Sequence, residues 1–421
     1  MTASPPGPRP ATGYRARPAT GYRPHPGPDG AVSAGVPRFE PFIGPYLARQ
    51  DWVQLALGHY GASTVWAELV DVRLLRGGRP GLASVLVAVD GRLFHLVLGW
   101  RDLASAPGML AGRPGAVLGP AEDDTGEVLV YDALADGELV LELLSVATGG
   151  AERAAHSRSL RSLVSHASVV YDERLFMKCY RVVEEGTRPE VETVSGLVAA
   201  GFAHLAAPVG LWQREGRDLA LVREFVPDAI EGKALAETSL RDLLARAESG
   251  PRTTTFEDVG LAGGDLGPEL RRLGAVTAEL HVALSAAFGQ REDGAIRVHG
   301  DYHLRRVMRS ARGWIVTGFG DDPLLGTQAG AASTVGPVVA SPLVDVADLC
   351  RSLHRVAAEA VALRTPATRR HARKLAQGWE RHNVGELLRG YLATDGVDQL
   401  VPGEAAEVAL TVSRLAAERG R

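Results

Sequence analysis

The segment Val298-His299-Gly300-Asp301-Tyr302-His303, followed directly by LRRVMRSARGWIVTGF, decides how this chain is read. An aspartate sits between two histidines in a loop. The apolar residues after it alternate as they do in a short hairpin. On either side the period changes. Apolar residues recur at helical spacing in LAETSLRDLLARA, ELRRLGAVTAELHVALSAA and VDVADLCRSLHRVAAEAVAL, and again toward the C-terminus. Further upstream, SLVSHASVVYDERLFMKCYR reads as two strands joined at Asp172-Glu173. A helical stretch near residues 189–201 follows, then two more strands around APVGLWQ and DLALVREFV. The pattern predicts an α+β architecture with a sheet-rich lobe over 151–230. A helical lobe over 231–421 carries the loop and its hairpin.

An HGDxH loop ahead of a hairpin resembles the catalytic loop of aminoglycoside-phosphotransferase-like kinases. That resemblance implies a two-lobed kinase-like fold, and the residue types suit the chemistry. Phosphoryl transfer to a hydroxyl needs a carboxylate that orients the hydroxyl and accepts its proton. Asp301 is the candidate, with His299 and His303 bracing the loop by hydrogen bonds. Lys178 lies within LFMKCYR, and a lysine in an apolar strand is costly unless its charge has a partner. In kinase-like folds this strand lysine contacts nucleotide phosphates and pairs with a helix glutamate. Glu192 is the preferred partner and Glu190 the alternative. Arg223-Glu224-Phe225-Val226-Pro227 stands where a hinge offers backbone groups to adenine, which makes Glu224 and Val226 candidates for nucleotide contact.

Ahead of the sheet-rich lobe, residues 38–150 carry their own strand grammar. TVWAELVDVRLL, ASVLVAVDG, RLFHLVLGW, EVLVYDAL and ELVLELLSV are separated by Gly77-Gly78, Asp90-Gly91 and Asp136-Gly137. FEPFIGPYLARQDWVQLAL reads as a short helix entering a small, mostly antiparallel domain. Residues 1–37 are rich in Pro, Gly and Arg, with RPATGYR repeated from Arg9 and Arg17. Such a segment buries too little apolar surface to offset its ordering entropy and is expected to be a disordered tail.

Taken together, SVVYDERLFMKCYR, RPEVE, LALVREFVPDAIEG, LGAVTAELHVAL, VHGDYHL and SPLVDVADLCRSL resemble the bacterial maltokinases, in the same order and at similar intervals. YLARQDW and VAVDGRLFHLVLGWRD resemble that family's N-terminal cap domain. The resemblance spans roughly residues 40–415. It implies ATP and Mg²⁺ as cofactors, phosphorylation of maltose to maltose 1-phosphate, and a place in α-glucan and glycogen metabolism.

The same resemblance exposes departures. The family's loop reads approximately HGDYHLGQVL, and Arg306 stands at the glutamine that helps bind metal. A guanidinium offers only donors and cannot ligate Mg²⁺. The family's later DFEGEP-like segment is here Gly318-Phe319-Gly320-Asp321-Asp322-Pro323. Gly318 stands at the main metal-binding aspartate, and Gly320 at a second acidic position. Asp321 and Asp322 are the available substitutes. After Trp52 the cap lacks its Gly-Gly-Lys-like segment, and GTQAGAASTVGPVVA carries no charge where the family has Arg and Glu. Three functions remain open: a maltokinase, a catalytically impaired pseudokinase serving as scaffold or regulator with a protein partner, and a phosphotransferase for another small molecule such as an antibiotic.

Composition sets outer bounds. The chain has 421 residues and a formal net charge of −4, which speaks against a nucleic-acid binder. Cys179 and Cys350 have no metal-ligand spacing, so two buried reduced thiols are expected. No apolar run reaches the length of a membrane span, and the N-terminus lacks an apolar signal region, which points to the cytoplasm.

Overall fold

The computed structural model describes residues 35–58, 65–105, 108, 110–160, 166–249, 255–259, 265–319 and 337–418. The expected tail falls almost wholly outside them. Asp321 and Asp322 do so entirely.

The chain opens with α1 (Glu40–Ala48) and α2 (Asp51–Leu57), two helices where one was expected. The extended backbone of Gln50 separates them. Five strands follow: β1 (Glu68–Arg76), β2 (Gly81–Val89), β3 (Arg92–Asp102), β4 (Val117–Asp123) and β5 (Gly126–Asp132). They form an antiparallel sheet in the order β1-β2-β3-β5-β4. β2 and β3 are buried on both faces, which explains their continuous apolar runs. Ala83, Val85 and Val87 pack under α1 and α2. Their neighbours Leu82 and Leu86 face the other way, into a core shared with α3 (Gly137–Ala147).

That helix corrects the sequence expectation of a strand over ELVLELLSV. Asp136 caps it by accepting from the backbone N–H groups of Glu138 and Leu139. Leu139, Val140, Leu143, Leu144 and Ala147 then fall on one buried face at helical spacing.

The second sheet runs β10-β11-β8-β7-β6. Its members are β6 (Ser157–Leu160), β7 (His166–Tyr171), β8 (Leu175–Tyr180), β10 (Pro208–Arg214) and β11 (Arg217–Glu224). Between β8 and α4 (Pro189–Ala199) the chain crosses back as β9 (Val182–Val183), which pairs with Leu93 and Phe94 of β3. Packing is therefore continuous across residue 150. Leu82 and Val97 share one core with Val169, Met177 and Cys179.

Beyond β12 (Ile230–Glu231) the chain is mostly helical. The helices are α5 (Gly232–Glu248), α6 (Phe256–Val259), α7 (Gly267–Phe288), α8 (Leu343–Ala362), α9 (Pro366–Leu392), α10 (Val397–Leu400) and α11 (Ala405–Glu418). Into this bundle are set β13 (Ile296–Arg297), the hairpin β14 (Val307–Ser310) and β15 (Gly313–Val316), and β16 (Val339–Ala340). Tyr302 and Leu304 anchor the loop in the helical core beside Leu349 and Leu353. Both cysteines are free and buried. Among the described residues no helix is long and apolar enough to cross a membrane.

Candidate active site

The loop between β13 and β14 is fixed from below by a carboxylate. Asp345, fully buried in the first turn of α8, accepts the backbone N–H of His299 at 2.8 Å and of Gly300 at 3.0 Å. His281 of α7 donates Nε2–H to the same carboxylate at 3.1 Å, and its Nδ1 meets the Tyr391 hydroxyl at 2.9 Å. Burial alone would raise the Asp345 pKa. The bond from His281 and the loop N–H groups reverse that and hold it below the usual range. Gly300 has φ +83°, and a Cβ there would stand 2.8 Å from Val338 Cγ2, so the loop requires glycine.

On this base the loop presents its side chains. His299 is buried and its Nε2 lies 3.0 Å from the Thr317 carbonyl. A carbonyl only accepts, so Nε2 carries the proton, and Nδ1 faces the Asp301 N–H at 3.4 Å. Burial holds the His299 pKa below its ordinary value. The His303 side chain caps the following turn at Arg305 N, and its Nε2 lies 3.4 Å from Asp301 Oδ1.

Arg306 dominates the remaining space. Its Nε and Nη2 donate to Asp301 Oδ2 at 3.0 and 2.5 Å. Burial pushes the Asp301 pKa up, but the bonds from His303 and Arg306 outweigh it and hold the carboxylate far below its usual range. Gly318, two residues past β15, has φ +80°. A Cβ built there would lie 2.8 Å from both Cδ and Nη1 of Arg306. The guanidinium thus fills space that any side chain at 318 would enter.

These residues do not fit a divalent cation. Arg306 offers only donors and Gly318 offers no side chain. Among the described residues no cluster of three His, Cys, Asp or Glu could hold a metal. Asp321 and Asp322 lie outside the described residues.

Across the site, Lys178 of β8 meets Glu190 of α4, Nζ to Oε2 at 2.6 Å, and the Tyr180 hydroxyl donates to the same oxygen at 3.2 Å. This corrects the preference for Glu192. Glu190 is half-buried, and its desolvation would raise its pKa, but Lys178, Arg223 and Arg188 hold it below the usual range. Glu192 instead receives Nη1 of Arg297 at 2.8 Å. Arg297 closes β13 immediately before the HGD loop, so α4 binds Lys178 through one glutamate and reaches the loop's strand through the other. At the end of β11, Glu224 accepts from Arg312 of the β14–β15 turn at 3.0 Å, and Val226 lies half-buried beyond it. Sequence reasoning missed Asp345 and His281. Their signal was an acid and a histidine set on otherwise apolar helical faces.

An antiparallel five-stranded lobe with a strand lysine and helix glutamate, joined to a helical lobe bearing an HGDxH loop, defines a two-lobed kinase-like fold with an added β cap. Similarity runs to sugar kinases. A glucosamine kinase of Mycolicibacterium smegmatis (strain ATCC 700084 / mc(2)155) is 26% identical over 237 residues, which covers 46% of this chain and 57% of the relative's length. A solved glucosamine kinase, crystal form A, superposes with a TM-score of 0.54 at 19% identity, covering 89% of this chain and 92% of that one. A glucosamine kinase in complex with glucosamine, ADP and inorganic phosphate gives 0.50 at 18% identity, over 89% and 96% of the two chains. No family model matches the sequence.

Proposed function

We propose that this chain is a sugar-kinase-like protein of the maltokinase type that binds an adenine nucleotide without metal and has lost metal-dependent phosphoryl transfer. One observation carries the reading: the carboxylate that would accept the hydroxyl proton is held by Arg306. A general base needs a free lone pair facing its substrate. An ion-paired carboxylate with a depressed pKa is a poor proton acceptor, and the metal that would neutralise the transferred phosphoryl group lacks ligands among the described residues. Lys178, paired with Glu190, is the nucleotide-binding candidate, and Glu224 and Val226 frame the hinge. His299 and His303 act as positioning residues.

The test is ATP binding by calorimetry in Mg²⁺ and in chelator, with product analysis after incubation with maltose or glucosamine. Equal affinity in both buffers and no sugar phosphate are expected. Sugar phosphate that depends on Mg²⁺ and disappears in Asp301→Asn would overturn the proposal. So would an absence of nucleotide binding.

The Lys178–Glu190 pair favours a second reading, an active sugar kinase with a rebuilt metal site. Product lost in Asp301→Asn would support it.

A further inference from the structure

A cavity of about 460 Å³ opens between the cap and the sheet that bears Lys178. Its walls come from α1–α2, the stretch before β4, the end of β5 and the turn after it, and strands β6 and β7. Tyr46, Trp52, Leu134 and Leu160 give it an apolar and aromatic body. Its polar groups are mainly donors. Arg181 is only 6% exposed, and one nitrogen of its guanidinium donates to Asp132. Its Nη1 is buried without an acceptor, and the guanidinium lies 5.1 Å over the Trp52 ring. Arg113 stands exposed at the rim, anchored through one nitrogen to the Ala135 carbonyl.

The carboxylate in this wall is already engaged. Asp132 accepts from the Tyr46 hydroxyl at 3.2 Å, from Leu134 N at 3.1 Å and from Arg181. Two guanidinium groups and one satisfied carboxylate therefore line the cavity, and a buried N–H without an acceptor costs free energy. A ligand that brings oxygen acceptors and negative charge answers that imbalance. The planar guanidinium fork matches phosphate geometry. The volume exceeds a lone phosphate, and the aromatic walls suit an organic body.

We propose that the cavity between the cap and β6–β7 is a binding site for a small organic phosphate of sugar size, with Arg181 and Arg113 taking the phosphate. The site is separate from the Asp301 loop, and the proposal stands or falls independently of the nucleotide reading. Arg181 follows Tyr180, whose hydroxyl bonds Glu190, the partner of Lys178. The two sites thus share the end of one strand.

Calorimetric titration with glucose 6-phosphate, glucose and inorganic phosphate tests the proposal. Glucose 6-phosphate is expected to bind, with glucose and inorganic phosphate each about tenfold weaker or more, the loss of one charge-assisted contact set. Arg113→Gln, at an exposed position, is expected to weaken glucose 6-phosphate several-fold while leaving the melting temperature unchanged. Lys178→Met is expected to leave that affinity intact. No glucose 6-phosphate binding at millimolar concentration would overturn the proposal. So would equal binding of glucose, insensitivity to Arg113→Gln, or loss of binding in Lys178→Met, which would place the phosphate at the nucleotide site.

Discussion

The two sides of the kinase-like site are each built around an ion pair, and the pairs have opposite consequences. On the sheet side, Glu190 holds Lys178 and leaves the ammonium two further protons for a ligand's oxygens. On the loop side, Arg306 holds Asp301 through two donors on a single oxygen, Oδ2. The first pair positions a group for work; the second occupies one. The loop itself is nonetheless firmly braced, by Asp345, His281 and a glycine of positive φ. A scaffold can thus specify a catalytic geometry while one neighbouring side chain decides whether the chemistry is available.

The sharpest way to break this contrast is to remove the scaffold. Asp345→Ala leaves two loop N–H groups and His281 without their buried acceptor. Breaking a buried charged network of this kind costs about 3–5 kcal/mol. Urea denaturation should show an unfolding free energy lower by that amount. A loss below about 1 kcal/mol would mean that the loop holds its shape without Asp345.

The next test converts the loop side. Arg306→Gln with Gly318→Asp removes the guanidinium and supplies a carboxylate. Aspartate is among the residues that tolerate a left-handed backbone. In the double variant, Mg²⁺ is expected to raise ATP affinity by about tenfold, equivalent to about 1.4 kcal/mol. Gly318→Asp alone is expected to gain no Mg²⁺ dependence, because its Cβ meets Arg306 at 2.8 Å. It should also lose about 1–3 kcal/mol of stability to backbone strain. Equal gains from the single and double variants would show that the two positions are not coupled.

On the sheet side, Lys178→Met should weaken ATP about tenfold, the value of one hydrogen bond to a charged group. Glu190→Gln should weaken it less. Glu192→Gln should leave affinity unchanged and act through the link to Arg297. The reverse order would restore the preference for Glu192.

That preference shows where sequence reading stops. Glu190 and Glu192 are two apart on a helix, so they point to well-separated faces. Only the docking of α4 against β8 decides which one meets Lys178. The loop, its hairpin and the strand lysine were legible because their residue types are chemically demanding and locally spaced. ELVLELLSV was not, since a short apolar run suits a buried strand or a helix equally, and the Asp136 cap decided it. Asp345 was hidden because its partners lie 46, 45 and 64 residues away. The Arg306 substitution was readable as a lost metal ligand, but its grip on Asp301 depends on the fold of the hairpin.

The smallest expected effect is on the titration of Asp301. Burial pushes this carboxyl up, while His303 and Arg306 hold it well down. Arg306→Gln removes one of those donors, so the pKa should rise toward the ordinary value of about 3.9. The sign for stability follows from linkage. A carboxyl whose folded pKa is depressed contributes stability that is present above the unfolded pKa, about 3.9, and is lost as pH falls through the folded value. The variant should therefore be slightly less stable than the parent at neutral pH, with the difference closing as the pH drops below about 3.9. The Asp301 side chain is 44% exposed, so solvent screening keeps that difference small. Carboxyl carbon NMR across an acid titration reads the shift directly. An unchanged Asp301 titration in the variant would show that His303 and the loop backbone, rather than Arg306, set its charge, and the contrast between the two ion pairs would then rest on occupancy alone.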